Sequence, residues 1–288
     1  MKAFLFFVFY FLLASLLAAS IAYPLFQLVG NDAYRFESWV TRSALLFLVL
    51  GLIPCIKFFD LNLRSIGHNQ SFVKFLKKSA IGFVAGLTIL APVIAILIYL
   101  DIRVLANDAQ ITLTFLCKAL AAGIIVALIE ETLFRGLFFK LSENWHGRYT
   151  AVVISSLFYA ILHFIKPAEH IDQALLSFNS GFEVIINAFK GTSFMSADDF
   201  FALFVVGVLL ALVRLRTHTL AICIGLHASW VFLIKFTKEL TDSNDSSYWA
   251  YLTGQYDGIV GWLSFFWITL LSIAYLIYII KPTRSHHS

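Results

Sequence analysis

The sequence predicts an all-α membrane protein with about eight transmembrane helices. Hydrophobic residues make up 60% of the 288 positions, charged residues only 13%, and the mean hydropathy is +0.85. Soluble domains carry about 25% charged residues, so this chain cannot cover a soluble globule with polar surface. Apolar windows of about 20 residues, the length of a membrane-spanning helix, recur along the chain.

Eight such windows are bounded by charged residues, prolines or glycine clusters. The first follows Met1 and Lys2 directly, as the apolar part of a signal peptide would, but it is longer than the usual ~7–15 residues. We therefore expect a retained helix. The predicted spans cover residues 3–29, 42–59, 79–101, 112–140, 149–166, 199–215, 218–236 and 258–280.

Lysine and arginine residues predict the orientation of these helices. The termini and the loops of one side hold more than half of the 21 basic residues. Because cytoplasmic loops carry the excess of Lys and Arg, we expect a multi-pass protein of the cytoplasmic (inner) membrane with both termini in the cytoplasm. The small net charge of +4, without a basic run, argues against nucleic-acid binding.

The remaining segments show no internal repeat, so residues 1–288 are predicted to form a single membrane domain whose oligomeric state is unknown. The stretch 167–198 interleaves apolar and polar residues. It suits either an amphipathic helix at the membrane interface or a loop packed on the helix ends. The stretch 237–257 is rich in Asp, Ser and Asn and is typical of a solvated outer loop.

Three cysteines lie far apart in apolar stretches, which predicts reduced core residues rather than disulfides: Cys55, Cys117 and Cys223. Cys223 stands four residues before His227, but burial in apolar surroundings raises a thiol pKa and makes it unreactive. We therefore expect a packing role for Cys223.

The fourth window contains three charges within six residues, at Glu130, Glu131 and Arg135. Each charge costs about 2.5–3.5 kcal/mol at the bilayer centre, so the trio must be paired or face a wet cavity. Glu131 and Arg135 are four residues apart in the favourable order, which predicts an ion pair and leaves Glu130 to accept a proton from water. The alternative is an interhelical clamp or snorkelling at the helix end.

Two histidines, His163 and His227, lie in other apolar windows. At about 1.5 Å per residue, Glu130 lies ~15 Å from Lys140, His163 ~21 Å from Arg148, and His227 ~14 Å from Arg216. Since these basic residues flank the same predicted side, the three groups reach similar depths. The spacing therefore allows them to converge on one site.

A glutamate with two histidines supports two kinds of hydrolysis. In the metal-free kind, Glu130 and one histidine activate a water while the other histidine donates to the oxyanion. In the other, Glu130, His163 and His227 hold a divalent metal such as zinc. The chain lacks the His-Glu-x-x-His helix of zinc proteases, which favours the metal-free kind.

These motifs resemble the CAAX prenyl protease and bacteriocin-processing (CPBP) family of intramembrane proteases. The resemblance rests on Glu130-Glu131-x-x-x-Arg135, Tyr159-x-x-x-His163 and the Gly-Leu-His-Ala run at 225–228, in that order over about 112–236. The Glu-Glu-x-x-x-Arg pattern alone is weak, but inside a membrane helix, with both histidines in order, the combination is fairly specific.

The resemblance implies an eight-helix core in which Glu130, His163 and His227 are catalytic and Glu131 with Arg135 is supporting. It implies cleavage of a peptide or protein substrate within or beside the membrane, among lipids. In the eukaryotic branch this cleavage removes the last three residues of prenylated proteins. The family has been described both as metalloproteases and as glutamate-dependent proteases, and the missing zinc motif fits the latter.

Two positions depart from the family pattern. Tyr159 stands where the family usually has Phe, and it keeps the ring while adding a hydroxyl. Val231 stands where the family usually has Asn or Asp, so one hydrogen-bond donor is missing unless Ser229, Trp230 or Tyr159 replaces it. This departure keeps open a non-catalytic scaffold or bacteriocin-immunity protein. Intramembrane acids and histidines also occur in ion- or proton-coupled transporters, which is the other alternative.

Overall fold

A computed structural model describes residues 1–30 and 34–281 of the chain. The C-terminal residues 282–288, which contribute to the predicted orientation, lie outside this range. Within it the fold is nearly all-α, as predicted. Its helices and strands are α1 (Lys2–Val29), α2 (Phe36–Leu50), α3 (Leu52–Phe58), α4 (Phe72–Tyr99), β1 (Arg103–Leu105), α5 (Leu113–Glu131), a π-helical segment (Thr132–Phe138), α6 (Phe139–His146), α7 (Arg148–His163), α8 (Ser180–Lys190), α9 (Ala197–Thr217), α10 (Ala221–Leu240), β2 (Thr241–Ser243) and α11 (Trp262–Ile280), with short 3₁₀ turns at Gln173–Leu175, Gly191–Phe194 and Ala250–Leu252.

Seven helical stretches of the described residues are long and apolar enough to cross a membrane. This confirms a multi-pass membrane protein. The predicted window 149–166 corresponds to α7, which has 16 residues and is shorter than the other spans. The seven stretches are Lys2–Val29, Phe36–Phe58, Phe72–Tyr99, Leu113–His146, Ala197–Thr217, Ala221–Leu240 and Trp262–Ile280.

Two predicted helices begin earlier in the structure than in the sequence analysis. α2 starts at Phe36 instead of residue 42, and α4 starts at Phe72 instead of residue 79. In both cases charged residues end the apolar window while the backbone remains helical. Hydropathy marks the part of a helix that suits lipid, whereas backbone hydrogen bonds continue past it.

The first compact unit comprises Met1–Ile66 and Thr132–Met195. Here α1 packs against α2, α6, α7 and α8. At Gly181 of α8 a Cβ would stand 2.2 Å from the carbonyl oxygen of Ala19, so only glycine permits this approach. The aromatic core of this unit includes Phe7 stacked on Phe138, with ring centroids 3.9 Å apart.

The stretch 167–198, left open between a helix and a loop, contains both kinds of structure. α8 occupies its centre and buries Val184, Asn187 and Ala188, while Ile186 on the same helix is 59% exposed. The remaining residues form turns and irregular segments. The helix therefore exists, and it packs on α1.

The second compact unit comprises Gly67–Glu131 and the residues from Ser196 onward. α10 packs against α4, α5 and α9, and α9 packs against α11. Close approach of α10 to α4 depends on glycine, because a Cβ on Gly225 would stand 2.0 Å from the carbonyl oxygen of Ser79. The indole Nε1 of Trp230 donates to the carbonyl oxygen of Gly86 at 3.0 Å and joins the same two helices.

The prediction of a solvated outer loop over 237–257 is corrected, because this stretch contains one strand of a two-stranded antiparallel ribbon. α10 continues to Leu240, and β2 then pairs with β1 in a register that places Val104 opposite Asp242. Arg103 stabilises the ribbon, since its Nε donates to Thr241 Oγ1 at 2.9 Å and its Nη1 to Ser243 Oγ at 2.8 Å. The polar composition of this stretch had suggested only solvated loop.

The cysteines are all free, but only Cys223 is buried as predicted, since Cys55 is partly exposed. Cys223 is buried, and its Sγ donates to the carbonyl oxygen of Leu210 at 3.4 Å, as expected for a packing residue. Cys117 is exposed rather than in the core. An apolar helix side that faces lipid looks the same in sequence as one that faces protein.

Candidate active site

Within the second unit, α5 and α10 bring two glutamates and a histidine together. Glu130 and Glu131 are the last residues of α5, and His227 lies in the first half of α10. The Nδ1 of His227 lies 2.8 Å from Glu131 Oε1, and its Nε2 lies 3.8 Å from Glu130 Oε2. Gly123 of α5 allows α10 to pack this closely, because a Cβ on Gly123 would stand 2.6 Å from the carbonyl oxygen of Ala228.

The two glutamates differ in their environment. Glu131 is fully buried and His227 is 4% exposed, whereas the side chain of Glu130 is 25% exposed. A carboxylate oxygen can only accept a hydrogen bond, so Nδ1 of His227 carries the proton shared with Glu131. The ring is thereby oriented with its other nitrogen toward Glu130, the more accessible acid.

Within the first unit, Arg135, Tyr159 and His163 form a second group. The guanidinium carbon of buried Arg135 lies 4.2 Å from the Tyr159 ring centroid. The Tyr159 and His163 ring centroids are 4.3 Å apart. The Nδ1 of His163 lies 2.6 Å from the carbonyl oxygen of Tyr159, which can only accept. The opposite nitrogen, Nε2, is therefore the one able to take a proton from a reactant.

Arg135 lies in the π-helical segment Thr132–Phe138, which the sequence did not predict. The prediction that Glu131 and Arg135 share one face assumed a regular α-helix with 3.6 residues per turn. A π-helix closes its hydrogen bonds at i→i+5 instead of i→i+4, and the predicted Glu131–Arg135 pairing stays a prediction. Such interruptions occur frequently at functional sites.

The structure also decides which residues can replace the donor missing at Val231. Ser229 Oγ donates to the carbonyl oxygen of Leu226 at 2.7 Å, and Trp230 Nε1 donates to Gly86. Both donors already bond to backbone carbonyl oxygens, one in α10 and the other in α4. Two of the three substitutes proposed from the sequence are therefore poorly suited to that role.

Tyr256 is a candidate residue of the active site that the sequence analysis did not find. Burial and the negative charge of Glu130 raise the pKa of the Tyr256 hydroxyl, which keeps it protonated. Its backbone N–H donates to Asp199 Oδ2 at 2.9 Å, which anchors the loop before α11. Tyr256 follows the matched motifs along the chain by almost thirty residues, and no local pattern links it to Glu130.

Among residues 1–30 and 34–281, no group of three or more His, Cys, Asp or Glu side chains is arranged to hold a metal ion. Glu130 and His227 belong to the second unit and His163 belongs to the first, so the metal-ligand set considered above stays a prediction.

Comparison with known families agrees with the motifs. Residues 112–233, somewhat less than half of the chain, match the family model described as type II CAAX prenyl endopeptidase Rce1-like. No curated protein and no solved structure matches the chain. The resemblance predicted from the motifs is thus confirmed over residues 112–233, which match this family model.

Proposed function

We propose that this protein is an intramembrane endopeptidase of the CAAX-protease type, which hydrolyses a peptide bond in or beside the membrane. The observation that carries the proposal is His227 held by Glu131 and facing Glu130, where both glutamates lie within the membrane-spanning stretch Leu113–His146. Buried ionisable groups are costly in a membrane and are kept where they act on a substrate. The family match over the same residues supports the same reaction.

Glu130 is the proposed general base, assisted by His163. Glu130 takes a proton from water as the water oxygen attacks the peptide carbonyl carbon. It returns this proton to the leaving nitrogen as the carbon–nitrogen bond breaks. The accessibility of Glu130 and the fixed ring of His163 suit these roles.

His227 is the proposed oxyanion donor. When its ring carries both protons, Nδ1–H is held by Glu131 and Nε2–H can donate to the negative charge that develops on the carbonyl oxygen. Glu131 then positions the ring and balances its charge. In the first unit, Arg135 and Tyr159 are proposed to support His163.

The reaction is proposed to need no metal, since the chain lacks the His-Glu-x-x-His helix of zinc proteases. The substrate is a peptide or protein segment that reaches the site from the membrane, among lipids. We also propose a cytoplasmic membrane location with both termini in the cytoplasm, on the basis of the Lys and Arg distribution.

The test uses a farnesylated peptide ending in a CAAX sequence, with a fluorophore and a quencher on opposite sides of the scissile bond. Purified wild-type protein in lipid vesicles is expected to release the last three residues. Glu130→Gln is expected to lower the rate at least 100-fold, because general-base catalysis contributes about 10²–10⁴-fold.

The matched control is Glu143→Gln. Glu143 lies in the same long helical stretch and pairs with Lys140 at 2.8 Å on a partly exposed surface, so its loss should leave the rate unchanged. Equal rates for Glu130→Gln and wild type would overturn the mechanism. Failure of wild-type protein to cleave the peptide, with or without its farnesyl group, would overturn the CAAX-type activity.

A further inference from the structure

A second site lies in the first unit and is lined by residues that the proposed reaction does not use. It is an open cavity of about 270 Å³ between the end of α1 and the first turns of α2. Its lining consists of Leu25, Tyr34, Trp39, Arg42, Ser43 and Leu46.

The polar groups of this cavity are hydrogen-bond donors or hydroxyls, and no carboxylate lines it. The indole Nε1 of Trp39 is buried and has no hydrogen-bond acceptor among the described residues. A buried N–H without an acceptor is destabilising, and a bound acceptor would recover this loss. The cavity therefore suits a ligand that accepts hydrogen bonds.

Arg42 adds a positive charge beside this donor. Its guanidinium carbon stands 4.2 Å from the Tyr34 ring centroid, which holds the group at the cavity. Within residues 1–30 and 34–281, no acidic side chain forms an ion pair with Arg42. A guanidinium in a membrane-spanning helix needs an anion or water, so the ligand is expected to be anionic.

The depth of the site matches a lipid headgroup. Arg42 is the seventh residue of α2, about 9 Å from the helix start, where a span enters the interfacial region. Leu46, Leu50 and Ile53 follow it at helical spacing, and all three are about half exposed. An anion at Arg42 would thus sit above an apolar stripe long enough for part of an acyl chain.

We propose that the cavity at Trp39 and Arg42 binds the phosphate of an anionic glycerophospholipid whose acyl chain lies along Leu46, Leu50 and Ile53. A phosphodiester accepts from both the guanidinium and the indole N–H. A zwitterionic lipid fits less well, since its ammonium group would find no carboxylate in the cavity. The site is independent of the proposed proteolysis.

The test compares lipid retention in detergent by native mass spectrometry, using phosphatidylglycerol and phosphatidylcholine as probes. Wild-type protein is expected to retain one phosphatidylglycerol molecule, and Arg42→Gln to bind it at least tenfold more weakly. The matched control is Arg148→Gln, because Arg148 is also an exposed arginine beside a tyrosine ring, that of Tyr149, but lines no part of this cavity. Its lipid retention should be unchanged.

A fluorescence measurement keeps the proposal testable if Arg42→Gln folds poorly. Phosphatidylglycerol with brominated acyl chains should quench wild-type protein more than Trp39→Phe, and 10 mM inorganic phosphate should not reverse the difference. Equal retention by wild type and Arg42→Gln, equal binding of phosphatidylcholine, or displacement by inorganic phosphate would each overturn the lipid site.

Discussion

At the scale of single residues, the contact between Glu131 and His227 bears on both the stability of the protein and the proposed reaction. The carboxylate is fully buried, and the hydrogen bond to the imidazole orients the ring toward Glu130. A hydrogen bond that involves a charged group contributes about 1.5–3 kcal/mol. Changes here should therefore alter the free energy of unfolding as well as the cleavage rate.

Glu131→Gln and His227→Gln are each expected to destabilise the protein by about 1–3 kcal/mol. The double variant should lose less than the sum, because both changes remove the same hydrogen bond. Thermal unfolding in detergent measures all four proteins, with Glu143→Gln as the surface control. Strictly additive losses would show that the two side chains do not interact.

Tyr256→Phe is expected to lower the cleavage rate about tenfold while leaving the melting temperature close to wild type. The change removes only the hydroxyl, and a single hydrogen bond contributes about 0.5–1.5 kcal/mol. Its neutral state follows from burial and from the charge of Glu130. Kinetics with the farnesylated peptide provide the measurement, and an unchanged rate would remove Tyr256 from the active site.

His68 predicts an acid-dependent loss of stability. Burial and the positive charge of Arg214 lower the pKa of His68 below its ordinary value, so the folded protein keeps this imidazole neutral. As the pH falls through about 6.5, the unfolded chain binds a proton that the folded chain does not, and the free energy of unfolding decreases.

The melting temperature of wild-type protein should therefore fall more steeply between pH 7.5 and pH 5.5 than that of His68→Gln. His218→Asn serves as the control, because His218 is exposed and its left-handed backbone conformation also suits Asn. Parallel curves for wild type and His68→Gln would contradict the prediction.

At the scale of elements, glycines determine how closely α10 approaches α4 and α5. Gly82, Gly86 and Gly225 lie where α4 and α10 meet, and each Cβ would come within 2.3 Å of an atom of the other helix. Small residues allow such close packing between membrane helices, where dispersion contacts replace the hydrophobic effect. The position of His227 in α10 therefore depends on residues that carry no chemistry.

Gly225→Ala is expected to cost at least about 1–3 kcal/mol through overpacking, and to lower activity because α10 must move. The new Cβ would meet the backbone of Ser79 and Phe83, which cannot rotate away. Adding Ser79→Ala should not rescue the variant, since the obstructing oxygen belongs to the main chain. Thermal unfolding of both variants checks this, and wild-type stability of Gly225→Ala would contradict the packing.

At the scale of the whole molecule, the proposed hydrolysis needs no metal ion. Treatment with EDTA or 1,10-phenanthroline should therefore leave the cleavage rate unchanged, and purified active protein should contain far less than one zinc ion per chain by elemental analysis. Inactivation by a chelator, reversed by added Zn²⁺, would show that Glu130 acts within a metal centre instead.

The sequence by itself determined the all-α, multi-pass class and the identity of most candidate residues. Few charges and long apolar windows predict membrane-spanning helices, because only helices and closed barrels satisfy the backbone hydrogen bonds in lipid. Glu130, Glu131 and His227 stood out because ionisable groups are rare in such windows. Their order along the chain was enough to predict the resemblance that the family model shows over residues 112–233.

The tertiary structure alone decided which groups meet. His227 contacts Glu131 across 96 residues, and that pairing depends on the rotation of two helices about their axes, which hydropathy does not encode. The sequence predicted neither the π-helical segment that carries Arg135 nor the contact by which Asp199 holds the loop that carries Tyr256. Membrane solvation determines that helices form, whereas long-range packing determines the faces that they present to one another.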